Sequence, residues 1–319
     1  MGMDLLSDAL SMVRLTGAVI FSIKVDGPWC ISAGAKLKDF APALPQGTNH
    51  LVAFHVLLGG NCWLRCPPQP WVRARQGDAV VLPHGQLHLL GDHREQSPPS
   101  FRALLHRRAL LDLRELHFTT GDGPRTEVLC GFLGCNRRAF SPLFGALPPM
   151  FVSGLGESAQ PLVRYAVDEA LSDAPGTASL RVRLAELMFL ESLRGYIQTL
   201  PDSATGWLAG LRDPLVGRAL QLMHEDPRAE WTVEALAERA ACSRSFLAER
   251  FRNVIGEAPM HYLTRIRMNR AARRLCESRC SLETVAEEVG YTSSAAFQRA
   301  FKRHYGLPPG DWRRRQSAS

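Results

Sequence analysis

No stretch of this sequence approaches the roughly 18 uninterrupted apolar residues of a membrane span, so no membrane partner is implied. The beginning, Met1 to Val13, places Asp4 and Asp8 where a secretory leader would carry basic residues, and the expected compartment is the cytoplasm. Low-complexity tracts are absent. With 45% hydrophobic and 22% charged residues, the chain has the apolar material to fold and is not expected to be disordered. The eight cysteines (Cys30, Cys62, Cys66, Cys130, Cys135, Cys242, Cys276 and Cys280) are too thinly spread over 319 residues to read as a disulfide framework, and most are expected as reduced thiols. Acidic residues are short as well, 31 against 38 Lys and Arg, and the shortage is local. Residues 1–213 hold 20 basic and 19 acidic groups, whereas residues 214–319 hold 18 and 12. A basic excess confined to one module is the footprint of nucleic-acid binding, although charge alone suits an acidic membrane surface or partner equally well.

At 319 residues the chain is long enough for two domains, and its patterning changes along its length. To about Pro99, short apolar runs alternate with Gly/Pro breaks: Ala18–Ile23, Leu51–Leu58, Cys62–Cys66, Ala79–Leu82 and Leu87–Leu90. These read as strands. From Glu157 to Leu200 apolar residues recur three or four apart, broken at Asp173-Ala174-Pro175-Gly176, which predicts a helical hairpin. It serves either as packing under the sheet or as a homodimer contact. The breakers in Pro201–Gly206 predict a linker running to about Asp213. The expected division is therefore a strand-rich domain over 1–156, a hairpin over 157–200, a linker over 201–213 and a helical module over 214–319.

That last module repeats itself. Glu234, Ala237 and Glu238 recur 49 residues later as Glu283, Ala286 and Glu287, and Phe251, Gly256 and Pro259 recur 50 residues later as Phe301, Gly306 and Pro309. Each copy predicts two helices joined by a tight turn (Ala241-Cys242, Gly290-Tyr291), the second opened by a capping hydroxyl at Ser243 and at Thr292 or Ser293. This is the pattern of a helix-turn-helix. Between the copies, Pro259–Cys276 predicts a strut about 26 Å long, suited to setting two recognition helices about one DNA turn apart. It carries Arg265, Arg267, Arg270, Arg273 and Arg274, expected as a group to neutralise phosphates.

The string from Trp231 through Arg252, then Gly256, Pro259, Tyr262, Leu263, Arg267 and Ala271, resembles the AraC/XylS family of bacterial transcription regulators. So does Val285-Ala286, Val289-Gly290-Tyr291, Phe297, Arg299, Phe301-Lys302, Gly306, Pro308-Pro309 and Trp312. The resemblance covers about 214–315 and implies two helix-turn-helix motifs on adjacent major-groove segments. It assigns base-facing positions to Ser245, Ala248 and Glu249 in the first motif and to Ser294, Ala295 and Arg299 in the second. Phe246, Leu247 and Phe251 are expected to face the core. Arg299 suits a bidentate contact to guanine, Glu249 can accept from cytosine N4, and the small residues suit methyl or shape readout. Ser243, Arg244, Arg250, Arg252, Ser293, Lys302 and Arg303 are expected on the DNA backbone.

Gly77-Asp78-Ala79-Val80-Val81-Leu82-Pro83-His84-Gly85-Gln86-Leu87-His88 is similar to the second conserved motif of cupin barrels, with its Pro/Gly turn aiming His88 into the barrel mouth. Leu129-Cys130-Gly131-Phe132 and Leu147-Pro148-Pro149-Met150 resemble the subset of AraC-family proteins with a cupin-type sensor. The implied architecture is α+β and multidomain: a cupin-like β-barrel with a helical hairpin, then an all-α double helix-turn-helix. A catalytic cupin needs two histidines and a glutamate in its first motif, yet residues 41–60 hold His50 and His55 and no acidic residue. No cofactor and no catalytic residue is assigned, and the protein is not expected to be an enzyme. A metal-dependent cupin enzyme stays a remote alternative, with His55, His84 and His88 plus Cys62 or Cys66 as the substitute donor set. A second sensing alternative is redox: Cys130 matches a cysteine of reactive-chlorine-responsive members, and a bend that joined it to Cys135 would permit a disulfide. The implied partners are double-stranded promoter DNA, a small-molecule effector or oxidant, RNA polymerase if the protein activates, and a second copy of the chain.

Overall fold

The computed structural model describes residues 5–7, 13–34, 37, 44, 48–95, 97–104, 113–137 and 142–317. They form two compact units, one of Val13–Arg137 with Leu147–Leu200, the other built on Pro201–Ser319.

The first unit holds ten strands: β1 (Val13–Asp26), β2 (Cys30–Ala33), β3 (His50–Gly59), β4 (Asn61–Arg65), β5 (Val72–Arg75), β6 (Asp78–Leu82), β7 (His88–Gly91), β8 (Glu115–Thr119), β9 (Arg125–Arg137) and β10 (Phe151–Gly154). They make a six-stranded sheet in the order β10-β6-β3-β9-β1-β8 and a four-stranded sheet in the order β2-β7-β4-β5. Among the pairings of these described strands, β1–β8 alone is parallel. Both sheets contribute to one core: Phe21 and Ile23 of β1, Ala53 and Leu57 of β3, Leu64 of β4 and Leu90 of β7 lie in a single apolar cluster. Because strand side chains alternate in direction, residues 51, 53, 55 and 57 of β3 and 128, 130 and 132 of β9 point inward together. Gly131 between them is required by its other face, where a Cβ would come within 2.1 Å of the Phe54 ring.

The hairpin forms as the 3.6-residue periodicity predicts, with α1 (Gln160–Leu171) and α2 (Thr177–Thr199) separated at the Asp-Ala-Pro-Gly break. It belongs to the same compact unit as the sheets, which its buried Val163, Ala166, Leu184, Met188 and Leu193 help to cover. Tyr165, Leu171 and Leu187 remain about half exposed.

In the second unit the predicted linker is only partly irregular. Trp207–Arg212 forms a helix, α3, with Trp207, Leu208 and Ala209 buried, packed on α4 (Pro214–Glu225). The breakers end at Gly206, and the apolar run after it nucleates structure. The helical module thus starts before residue 214. It continues with α5 (Val233–Arg239), α6 (Arg244–Ile255), α7 (Pro259–Glu277), α8 (Leu282–Glu288), α9 (Ser294–Tyr305) and α10 (Pro309–Ser317). Thr232, Ser243, Ser281 and Ser293 each cap a helix by accepting a backbone N–H, which fixes the start of all four short helices of the repeat.

Candidate functional site

The two motifs pair α5 with α6 and α8 with α9. Their tight turns need a left-handed residue, supplied by Ala241 at φ 53° in the first and Gly290 at φ 80° in the second. A Cβ on Gly290 would also come within 2.8 Å of the Arg228 backbone. Ser243 Oγ accepts from the Phe246 N–H at 3.3 Å and Ser293 Oγ from the Ala296 N–H at 3.4 Å. Leu247, Phe251 and Val254 bury the inner face of α6, and Phe297, Ala300 and Phe301 that of α9.

The opposite faces carry the predicted DNA-facing residues. Ser245, Glu249 and Arg252 are exposed on α6 with Ala248 half-buried; Ala295, Arg299, Lys302 and Arg303 are exposed on α9 with Ser294 half-buried. Arg244 forms a 2.6 Å pair with Glu234, but both side chains are well exposed, so the pair is weak and easily exchanged for a phosphate.

Two expectations fail here. Phe246 does not face the core: it is 52% exposed, because the inward direction set by Leu247, Phe251 and Val254 leaves it to one side. Arg250 is not a free backbone contact either. Its Nε donates to Asp213 Oδ2 at 2.7 Å, and Asp213, with a side chain 7% exposed, simultaneously caps α4 by accepting from the Leu215 and Val216 N–H groups. Asp213-Pro214 is legible as a helix start, but nothing local announces its partner 37 residues on.

Four of the five strut arginines are also paired within the fold. Arg265 donates twice to Glu257 at 2.9 and 2.7 Å, Arg267 to the Pro227 and Ala229 carbonyls at 2.7 and 2.9 Å, and Arg270 to the His224 carbonyl. Arg274 forms a two-point pair with Glu288 of α8 at 2.7 and 3.0 Å. Of the five, only Arg273 has no such partner among the described residues. The group therefore ties α7 to the α4–α5 loop and to α8 and so sets the spacing of the motifs, rather than neutralising phosphates as expected from the sequence.

In the first unit the candidate sensor residues separate into two groups. His55 and Cys130 are direct cross-strand neighbours on β3 and β9, and His88 reaches them from the opposite sheet. His88 Nδ1–H donates to the Gln86 carbonyl at 2.9 Å, which leaves its Nε2 to accept from His55 Nε2–H at 2.8 Å. His55 Nδ1 then accepts from the Cys130 thiol at 3.1 Å. These tautomers follow from the carbonyl's inability to donate. All three side chains are buried. Desolvation holds both imidazoles neutral, pushing His88 down to about 4 and His55, with help from His88, well below its ordinary value, and it pushes the Cys130 thiol up. His88 thus lies in the packed core rather than in a barrel mouth. His84 stands apart, edge-on to His50 and within 3.5 Å of the Leu147 carbonyl.

A metal cage does not fit these donors. The facing Nε2 atoms of His55 and His88 already share one proton at hydrogen-bond distance, Cys130 meets the other nitrogen of His55, His84 is elsewhere, and among the described residues no carboxylate joins them. Among the described residues, no group of three or more His, Cys, Asp or Glu is arranged to hold an ion. The Cys130–Cys135 switch fails as well. Both lie on the continuous strand β9, where five residues span about 16 Å and point side chains to opposite faces, far outside disulfide reach. Cys62, buried in the same core, is pushed up to about 12 and is no nucleophile either.

The geometry defines a double helix-turn-helix protein with a cupin-like β domain. A family model described as Cupin matches residues 4–198, and one described as Helix-turn-helix domain matches residues 236–315. A putative AraC-like transcription regulator of Streptomyces lividans is 32% identical over 318 residues, 98% of each chain. The HTH-type transcriptional regulator AlkR of Acinetobacter baylyi is 28% identical over 322 residues, 98% of this chain and 99% of its own. The DNA-binding domain of AdpA, crystallised with a target DNA, aligns at 34% identity and a TM-score of 0.32 over 33% of this chain and 95% of that one. The chain belongs to the AraC-like transcription regulators that carry an N-terminal cupin domain, and it is a DNA-binding regulator of transcription. No helix among the described residues is long and apolar enough to cross a membrane.

Proposed function

We propose that the protein is a cytoplasmic, non-enzymatic regulator that reads a specific promoter sequence with α6 and α9 and changes its output when a small molecule occupies the cupin-containing unit. The observation that carries the reading is the pair of capped helices, each with a buried apolar face and an exposed polar one, locked to a common strut by arginines. Ser245, Ala248, Glu249, Ser294, Ala295 and Arg299 meet base edges; Ser243, Arg244, Arg252, Ser293, Lys302 and Arg303 meet the backbone. Room for an effector exists in a cleft of about 670 Å³ between β3, the Gln76–Gly77 turn and α1, with an apolar floor at Val56 and Val163 and the polar groups of Gln160, Arg164 and Asp168 at its wall. An effector acts only if it binds two states of the sensor unequally. The half-exposed Tyr165, Leu171 and Leu187 of the hairpin favour a homodimer, which multiplies affinity by effective concentration.

The test is footprinting of the purified chain on its own upstream DNA at physiological salt. Protection of two major-groove segments about one turn apart is expected. Arg299→Ala is expected to lose roughly 1–3 kcal/mol on that operator and much less on random DNA. Equal losses on both would remove Arg299 from base reading.

A further inference from the structure

The two recognition helices carry opposite chemistry on the same frame. On α9 the exposed groups include Ala295, Arg299, Lys302 and Arg303. Neither Arg299 nor Lys302 has an intramolecular partner among the described residues. On α6 Arg250 is paired with Asp213, Arg244 holds only a weak exposed pair with Glu234, and the place of Arg299 is taken by the acidic Glu249, so that among the described residues Arg252 and the exchangeable Arg244 are what α6 offers to phosphates. With Glu249 facing the same way, phosphate attraction holds α6 on DNA less strongly than α9. What α6 offers instead is Phe246, 52% exposed, at the position where the second copy has Ala296.

The placement of that ring follows from the helix itself. At about 100° per residue, Ser245 and Glu249 lie nearly opposite the buried Leu247, Phe251 and Val254, and Phe246 and Ala248 flank them at similar angles on either side. Phe246 also sits in the first turn of α6, its N–H held by the Ser243 cap, and the first turn of a recognition helix is the part that reaches base edges. An aromatic ring there has one apolar partner in the major groove, the C5-methyl of thymine.

We infer that Phe246 is a specificity-determining residue, its ring packing on a thymine methyl in the DNA segment read by the first motif. This rests on the DNA-binding reading above and adds a contact that it does not contain. The first motif thus adds an apolar contact where the second places the cationic Arg299, so the two halves of the operator differ in what they demand.

The test uses the full-length chain and its Phe246→Ala and Phe246→Leu variants, with sites selected from a random-sequence duplex library. Wild type is expected to select a thymine at one position of one half-site, and Phe246→Ala to lose that preference while keeping the rest; Phe246→Leu keeps it. Replacing that thymine by deoxyuridine removes only the methyl. It is expected to weaken wild type about fourfold, the factor for one buried methyl-sized group, and to leave Phe246→Ala unchanged. The ring is exposed, so circular dichroism of the variants should match wild type. If Phe246→Ala selects the same sites with the same affinity, or deoxyuridine costs both proteins equally, the assignment is overturned. If wild type enriches no sequence at all, the DNA-binding reading falls first, and this one with it.

Discussion

Acidification tests the buried thiol–imidazole chain. His88 has an ordinary value near 6.5 when unfolded and about 4 in the folded protein, because burial excludes the imidazolium. Between those values the unfolded chain binds a proton that the folded chain refuses. Stability is therefore complete above pH 6.5, falls as the pH drops through 6 and 5, and stops falling below about 4. At about 1.4 kcal/mol per pH unit, the full loss is about 3 kcal/mol, of which about 2 has gone by pH 5. That is a large part of the 5–15 kcal/mol by which domains are typically stable, and His55 pushes in the same direction. The comparison is wild type against His88→Asn, in urea at pH 7.5 and at pH 5.0. Hydrogen exchange of peptides covering residues 50–59 and 125–137 reports on β3 and β9. The variant is less stable at both pH values, since His55 loses its acceptor, but its further loss on acidification should be smaller by about 2 kcal/mol. Equal losses in the two proteins, or an His88 imidazole titrating near 6.5 by NMR, would refute the buried chain.

Three further outcomes follow from the same geometry. Lys302→Ala should reduce the slope of log affinity against log salt by about 1, whereas Arg274→Ala and Arg250→Met should leave the slope unchanged and instead lower the melting temperature; a reduced slope in either would return those arginines to the DNA. Ala241→Gly relieves a left-handed alanine and should stabilise the second unit by about 0.5–1 kcal/mol, while Gly290→Ala should destabilise it by more, since its Cβ meets the Arg228 backbone as well; urea unfolding of both variants checks the pair. Mild oxidant should produce no Cys130–Cys135 disulfide in the folded chain, and Cys130 should resist alkylation until urea exposes it; a linked peptide in mass spectrometry of the oxidised, folded protein would contradict the β9 geometry.

Much of this protein was legible in neighbouring residues. The 49- and 50-residue repeat, the capping hydroxyls at Ser243 and Ser293 and the turn residues at Ala241 and Gly290 are local signals, because a cap or a turn is made by residues a few positions apart. The same holds for the strand runs and the hairpin, whose periods of 2 and 3.6 are properties of the backbone. Phe246 was misread because its neighbour Leu247 shares its apolarity, and only the direction of the packed core separates an inward residue from one beside it. Arg250 and the strut arginines were misread for a different reason. An arginine reads the same in sequence whether it will meet a phosphate, a carbonyl or a carboxylate, and its partners here lie 8 to 46 residues away in the chain. His55, His88 and Cys130 show both sides at once: their inward direction follows from strand alternation, but their meeting depends on the β3–β9 register and on the second sheet closing over it. Local backbone geometry is written into short stretches of residues, whereas the pairing of long polar side chains is settled only when distant segments are brought together and desolvated.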